Sequence, residues 1–212
     1  MIAIIDYKAG NLKSVERALK ELGFPCRVTQ RTDEISNCER IVFPGVGAAG
    51  KAMADLRQLG LDKVLKEAFQ ANKPILGICL GAQIILERSQ ENRAQCLGII
   101  QGEVRLFPQP LLSEQKERLK IPHMGWNGVR LQKQHPVMEG ITPSDEFYFV
   151  HAYYPRPDSD NYVIGTTDYG IVFPSVIGHK NLIAMQFHPE KSGVAGLRIL
   201  RNFCAWDGRH VE

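Results

Sequence analysis

No apolar run in these 212 residues approaches the roughly 20 needed to cross a bilayer, so nothing in the sequence reads as a membrane-spanning helix. Net charge is small too. A net +3 is too slight to mark a nucleic-acid footprint or an anionic membrane surface. The five cysteines, Cys26, Cys38, Cys79, Cys96 and Cys204, are odd in number and scattered. They form neither C-x-x-C metal spacing nor a dense disulfide framework, so a reducing cytoplasm is expected and no metal or organic cofactor. Internal repeats, low-complexity tracts and Pro/Gly/Ser-rich linkers are missing as well, which suggests one domain over residues 1–212. The first residues, Met1 to Asp6, are apolar but meet a charge at once, as a first strand does and a signal peptide does not.

What is present has the composition of a soluble globular protein, 44% hydrophobic and 23% charged. Residues 2–6 read as a strand. Asn11 can cap a helix whose apolar residues Leu12, Val15, Leu19 and Leu22 recur at helical spacing, with Gly23 as its stop. Short strands are expected at 26–29 and 40–43, the latter ending in Pro44-Gly45-Val46-Gly47. Leu61, Val64, Leu65, Ala68 and Phe69 mark another amphipathic helix. This alternation implies a parallel sheet with helices on both faces. After Gly98 strand-like runs follow one another, at 103–107, 128–131, 146–154, 162–167, 171–177 and 182–187, and a last helix covers 195–204. Residues 108–120 read as a polar surface connection. The expected fold class is therefore α/β: a mostly parallel central sheet with helices on both faces, plus an added mixed or antiparallel sheet.

Between the strand run 75–78 and the helical pattern of Ile84, Ile85 and Leu86 stands Gly77-Ile78-Cys79-Leu80-Gly81. This is the G-x-S-x-G nucleophile elbow with sulfur in place of oxygen. Glycines flank such a nucleophile because a Cβ there would strike adjacent chain, and the strained turn holds the side chain at the carboxyl edge of the sheet. The helix N-terminus beneath favours a thiolate, and the Leu80 N–H points where an oxyanion would form. The pentapeptide alone is equally compatible with a buried cysteine in an ordinary strand–turn–helix.

A cysteine nucleophile needs a base. Among the six histidines, His188 stands out in Gln186-Phe187-His188-Pro189-Glu190, just past a strand-like run. A histidine at a strand end lies at the edge where open α/β sheets bind ligands. Glu190, two residues on, is placed to orient the imidazole as the third member of a triad. Pro44-Gly45-Val46-Gly47 reaches the same edge; its two glycines let the peptide at Val46 turn an N–H toward the same oxyanion.

Gly-Ile-Cys-Leu-Gly with a distant Phe-His-Pro-Glu resembles the class I (triad) glutamine amidotransferases. The resemblance runs nearly end to end. Its more specific marks are Pro44 to Gly47, Pro122-His123-Met124-Gly125-Trp126-Asn127, Phe147-Tyr148-Phe149-Val150-His151 and Phe187 to Gly193. It implies that Cys79 attacks the side-chain amide of glutamine, that His188 serves as acid and base, and that Glu190 orients His188. It implies an oxyanion hole from the N–H groups of Val46 and Leu80. It implies substrate contacts from Gln83, Glu91, Ala152 and Tyr153, with Glu91 meeting the ammonium of glutamine. Asn11, Met124, Trp126, Asn127 and Tyr148 match interface or gating positions toward a (βα)8-barrel synthase or cyclase subunit, in an expected 1:1 heterodimer that channels ammonia. Lys191 could face that partner or solvent. The chain departs from the family pattern at Lys8, Ala82 and Ala152.

The marks are most similar to the branch of the family that serves histidine biosynthesis. Two readings stand beside it: a paralogous glutaminase feeding another synthase, such as one that modifies a surface-polysaccharide sugar, and a cysteine peptidase-like hydrolase on a similar elbow.

Overall fold

The computed structural model describes residues 1–8 and 12–209. In chain order the first half comprises β1 (Ile2–Ile5), α1 (Leu12–Glu21), β2 (Cys26–Thr29), α2 (Thr32–Asn37), β3 (Arg40–Gly45), α3 (Ala49–Gln58), α4 (Leu61–Gln70), β4 (Ile75–Cys79) and α5 (Leu80–Ile84). The second half is strand-rich. It holds β5 (Arg88–Ser89), β6 (Ala94–Gln95), β7 (Gly102–Leu106), β8 (His123–Gly128), β9 (Arg130–Leu131), β10 (Glu146–His151), β11 (Tyr153–Pro157), β12 (Val163–Asp168), β13 (Val172–His179) and β14 (Leu182–Met185), closed by α6 (Gly193–Ala205).

Eight strands form the main sheet in the order β2-β1-β3-β4-β14-β13-β12-β9. From β2 through β14 neighbouring strands are parallel; β13, β12 and β9 continue the sheet antiparallel. The sheet is thus mixed. A four-stranded sheet, β11-β7-β5-β6, and a two-stranded one, β10-β8, are added to it. β14 lies beside β4, although about a hundred residues of chain separate them, and that crossover creates the site.

Alternate residues of the central strands enter opposite cores, as a period of two requires of strands covered on both sides. Ala3, Ile5, Ile41 and Phe43 pack with α2, α3, α4 and α5, whereas Ile2, Ile4 and Val42 pack with α1, α6 and the β10 residues Phe147 and Phe149. Each fully buried leucine, isoleucine or phenylalanine contributes about 1.5–3 kcal/mol.

Several elements differ from the sequence expectation. α2 and α3 carry no strong apolar stripe: α2 buries only Ile35, and α3 packs largely through Ala49, Ala52, Met53 and Leu56. The run 146–154 divides at Ala152, whose carbonyl accepts from the Phe107 N–H at 3.1 Å, so that β10 and β11 join different sheets. The helix after the elbow is only five residues long. Its continuation is diverted because the N–H groups of Leu97, Gly98 and Ile99 take the carbonyls of Ile84, Leu86 and Ile85 at 2.7–2.9 Å. The helix starting at Leu12 forms as expected, but Asn11, its expected cap and a candidate interface residue, lies outside the described residues.

Candidate active site

β4 ends at Cys79 and α5 begins at Leu80. Cys79 sits at φ 55°, ψ −108°, a conformation that costs a non-glycine residue on the order of 1–3 kcal/mol and persists only where its surroundings enforce it. Two glycines allow the chain to close around it. A Cβ on Gly81 would drive into the Phe43 carbonyl oxygen of β3, and one on Gly77 would stand 2.8 Å from Ala184 Cβ of β14. Cys79 is 7% exposed.

On one side, β3 places Gly45 opposite Cys79. Val46 and Leu80 are therefore the first residues past the ends of adjacent parallel strands. The Leu80 N–H opens the first turn of α5, where no intrahelical acceptor exists. Val46 is 37% exposed and is followed by Gly47 at φ 92°, a conformation natural to glycine.

On the other side, β14 ends at Met185 and the chain reaches His188 three residues later. Its backbone is clamped to β10: the His188 N–H donates to the Tyr148 carbonyl at 3.0 Å. Ser192 Oγ donates to the His188 carbonyl at 2.6 Å and accepts from the Tyr148 N–H at 3.0 Å. His188 Nδ1 and Glu190 Oε1 are 2.8 Å apart with both side chains buried, which assigns the Nδ1 proton to the shared bond. Burial works against the charged ring, but Cys79 and then Glu190 outweigh it and raise the imidazole pKa to about 9. Among the described residues, buried His188 Nε2 makes no hydrogen bond of regular geometry, while the Cys79 thiol is near enough to act on the ring. Catalytic hydrogen bonds are commonly this loose before a substrate tightens them, so the geometry leaves Cys79 and His188 as a candidate nucleophile–base pair.

The remaining candidates divide. Gln83 is buried; its amide nitrogen donates to the Tyr153 carbonyl and to Gln186 Oε1, both at 2.9 Å, leaving its carbonyl oxygen as the group able to meet a substrate. Glu91 opens a 3-10 turn and accepts from the Ala49 N–H at 2.7 Å. It thereby anchors the start of α3, two residues past Gly47. Ala152 and Tyr153 occupy the junction between β10 and β11. Ala82 is fully buried in the core beneath the elbow, and Lys8 is exposed at φ 67°, its N–H bonded to Asp6 at 2.9 Å.

β8 and β10 make an antiparallel ribbon with Tyr148 opposite Trp126. One face turns His123, Phe147, Phe149 and His151 inward; the other presents Met124, 62% exposed, and Trp126, 54% exposed. Trp126 meets Tyr148 edge to face at 6.2 Å, and Lys191 Nζ stands 5.7 Å from the Tyr148 ring centre. Asn127 turns back toward His123 and the Asp168 carbonyl.

Gln186 and Tyr7 had no role in the sequence reading, and the pairing of His151 with His123 was not legible in it. Gln186 is fully buried and its amide nitrogen lies 3.8 Å from Cys79 Sγ. The signal was a polar residue between the apolar run 182–185 and the histidine motif. Tyr7 carries a buried hydroxyl with no hydrogen-bond partner among the described residues, where a Cβ on Gly45 would fall. Burial, with Cys79 second, pushes its phenol far above the usual range. His123 and His151 form a buried pair with ring nitrogens 3.1 Å apart. Burial lowers His123 to about 4; burial, then His123 and His188, lowers His151 to about 3 against its bond to the Tyr153 carbonyl. Only spatial pairing reveals these two.

The family model for "Glutamine amidotransferase class-I" matches residues 3–206. Curated relatives similar to the chain include "Imidazole glycerol phosphate synthase subunit HisH" of Nitratidesulfovibrio vulgaris (strain Miyazaki F), 52% identical over 97% of both chains. The protein of the same description from Pseudomonas putida is 45% identical over 98% of both. Among solved structures, "Structure of PurLQS from Thermotoga maritima" superposes with TM-score 0.74 at 16% identity over 96% of this chain and 97% of that one. "Crystal structure of glutamine amidotransferase" does so with TM-score 0.72 at 18% identity over 97% and 98%. These two likenesses show a shared fold. The family match over nearly the whole length, with relatives at about half identity, means that this chain belongs to the class-I glutamine amidotransferase family.

Proposed function

We propose that the chain is the glutaminase subunit of an imidazole glycerol phosphate synthase. It hydrolyses glutamine to glutamate and passes the ammonia to a barrel-type synthase subunit that makes imidazole glycerol phosphate and aminoimidazole carboxamide ribotide. The observation that carries the chemistry is the strained Cys79 elbow standing between the Val46–Leu80 edge and the His188–Glu190 pair. In this reading Cys79 Sγ attacks the carboxamide carbon of glutamine, and the N–H groups of Leu80 and Val46 hold the developing oxyanion. His188 gives its Nε2 proton to the departing nitrogen, so ammonia leaves and a glutamyl thioester remains. His188 then takes a proton from water, which attacks the thioester and releases glutamate and the thiol. Glu190 keeps the ring oriented and supports its charge, in accord with the raised His188 pKa.

The relatives' description as synthase subunits supports the pathway. A partner also answers a chemical need. Ammonia is mostly protonated at neutral pH, and release into solvent would waste the nucleophile. Met124 and Trp126 offer an exposed apolar face, backed through Tyr148 by the His188 loop, to a 1:1 barrel partner. Glutamate release by the purified chain, with and without the histidine-pathway barrel subunit and its nucleotide ligand, tests the reading. Low activity alone and a large rise in the complex are expected. No stimulation would transfer the chain to a paralogous synthase, and no glutaminase activity in either state would refute the chemistry.

A further inference from the structure

A row of polar groups, buried beyond the half-buried Asn127, crosses the molecule from the β8–β10 ribbon to the nucleophile. Asn127 Nδ2 lies 3.4 Å from His123 Nε2, His123 Nδ1 lies 3.1 Å from His151 Nε2, and His151 Nδ1 lies 2.8 Å from the Tyr153 carbonyl. The same carbonyl accepts from Gln83, which also donates to Gln186 Oε1, and Gln186 Nε2 faces Cys79 Sγ at 3.8 Å.

Backbone groups at fixed points dictate every proton in this row. Asn127 is oriented by donating to the Asp168 carbonyl at 2.8 Å and accepting from the Gly128 N–H at 2.8 Å, so its amide nitrogen faces His123. His123 Nε2 must then accept, which leaves the ring proton on Nδ1 and makes it a donor to His151 Nε2. That in turn leaves the His151 proton on Nδ1, as the Tyr153 carbonyl independently requires. From the same carbonyl in the other direction, Gln83 can only donate, so it offers its second hydrogen to Gln186 Oε1. Gln186 is left with its N–H directed at sulfur. The assignments from both ends agree, and each member is neutral.

Such a row is costly in an otherwise apolar core, where aliphatic side chains of the same volume would pack without desolvating any polar group. Phe107, Phe149 and Phe173 surround its two histidines.

We propose that Gln186 acts directly on the nucleophile as a hydrogen-bond donor to Cys79 sulfur. The relay Asn127–His123–His151–Tyr153–Gln83 holds it in that orientation from the ribbon that exposes Met124 and Trp126. A neutral donor stabilises the thiolate without competing with His188 for charge. The link to partner binding rests on the proposed docking of that ribbon; the action of Gln186 on sulfur does not.

The test is the rate of Cys79 alkylation by iodoacetamide, followed on the Cys79 peptide by mass spectrometry from pH 5 to 9. This readout needs neither glutamine nor a partner, so its failure is distinct from failure of the glutaminase reading. Gln186→Met keeps the volume and removes the donor. The midpoint of its rate–pH profile should rise by about one unit, with about tenfold slower alkylation below it. His123→Phe keeps a ring between Phe149 and Tyr169, stacked at 4.8 and 4.0 Å, and breaks the relay far from sulfur. Its midpoint should rise by about half a unit. A merely structural role would lower melting temperatures and leave both midpoints unmoved. An unchanged midpoint in Gln186→Met overturns the proposal. A shift there with none in His123→Phe overturns the relay.

Discussion

Acidification should destabilise this protein through two buried histidines, His123 and His151. His123 and His151 are held neutral by burial, with pKa values of about 4 and about 3 against about 6.5 in an unfolded chain. The unfolded state therefore binds more protons below pH 6.5, and stability falls as pH drops through that value toward the folded-state values. Between pH 6.5 and 5 each ring should remove about 1–2 kcal/mol, about 3 kcal/mol together. His188 acts in the opposite sense. Its folded-state pKa is raised to about 9, so its contribution is complete below about 6.5 and is lost as pH rises through 9; over the acid window it offsets only a few tenths of a kcal/mol. Surface carboxylates begin to titrate below about pH 5 and stay outside the window. A loss near 3 kcal/mol is a large share of the roughly 5–15 kcal/mol that stabilises a domain. Urea denaturation followed by tryptophan fluorescence at pH 6.5, 6.0, 5.5 and 5.0 measures it. His123→Phe should show about half the pH slope of the parent chain. A stability that varies by less than about 1 kcal/mol over that range, or an unaltered slope in the variant, would falsify the assignment of a neutral buried pair.

Three further outcomes are expected. Cys79→Ala and Cys79→Gly should both lose glutamine hydrolysis, but the glycine variant should be more stable by about 1 kcal/mol because it relaxes the φ 55° conformation; equal melting temperatures would speak against strain at the elbow. Gly81→Ala should destabilise the fold by about 2 kcal/mol or more, since its Cβ meets the backbone oxygen of Phe43 rather than a movable side chain, and a melting temperature within one degree of the parent would refute that account. Trp126→Ala, at a half-exposed position, should leave thermal stability unchanged and weaken binding of the barrel subunit at least tenfold in titration calorimetry; unaltered affinity would remove the ribbon from the interface.

Much of the fold was legible in the sequence because its signals are local. Apolar runs of four or five residues between helical stripes mark β1, β4 and β14, and the mixed β2 at Cys26–Thr29 also appears with the expected bounds. The elements that escaped lack such signals. α3 packs through two alanines, Met53 and Leu56, with no strong apolar stripe, and the break at Ala152 is made by a hydrogen bond from Phe107, a residue remote in sequence. The elbow was legible because its backbone conformation demands glycine on both sides, so chemistry and spacing coincide in one pentapeptide.

By itself, then, the sequence determined which residue is the candidate nucleophile, which histidine and carboxylate lie two positions apart to serve it, and which strands are buried on both faces. These follow from periods, from glycine and proline stereochemistry and from side-chain type, all of which act over a few residues. Tertiary structure alone decided that β14 lies beside β4, and so that His188 faces Cys79. It alone brought Tyr7 beneath Gly45, committed Gln83 to a buried network, and directed the Gln186 amide at sulfur. Pairing of distant chain segments and the proton assignments of buried hydrogen bonds depend on neighbours that no sequence window contains.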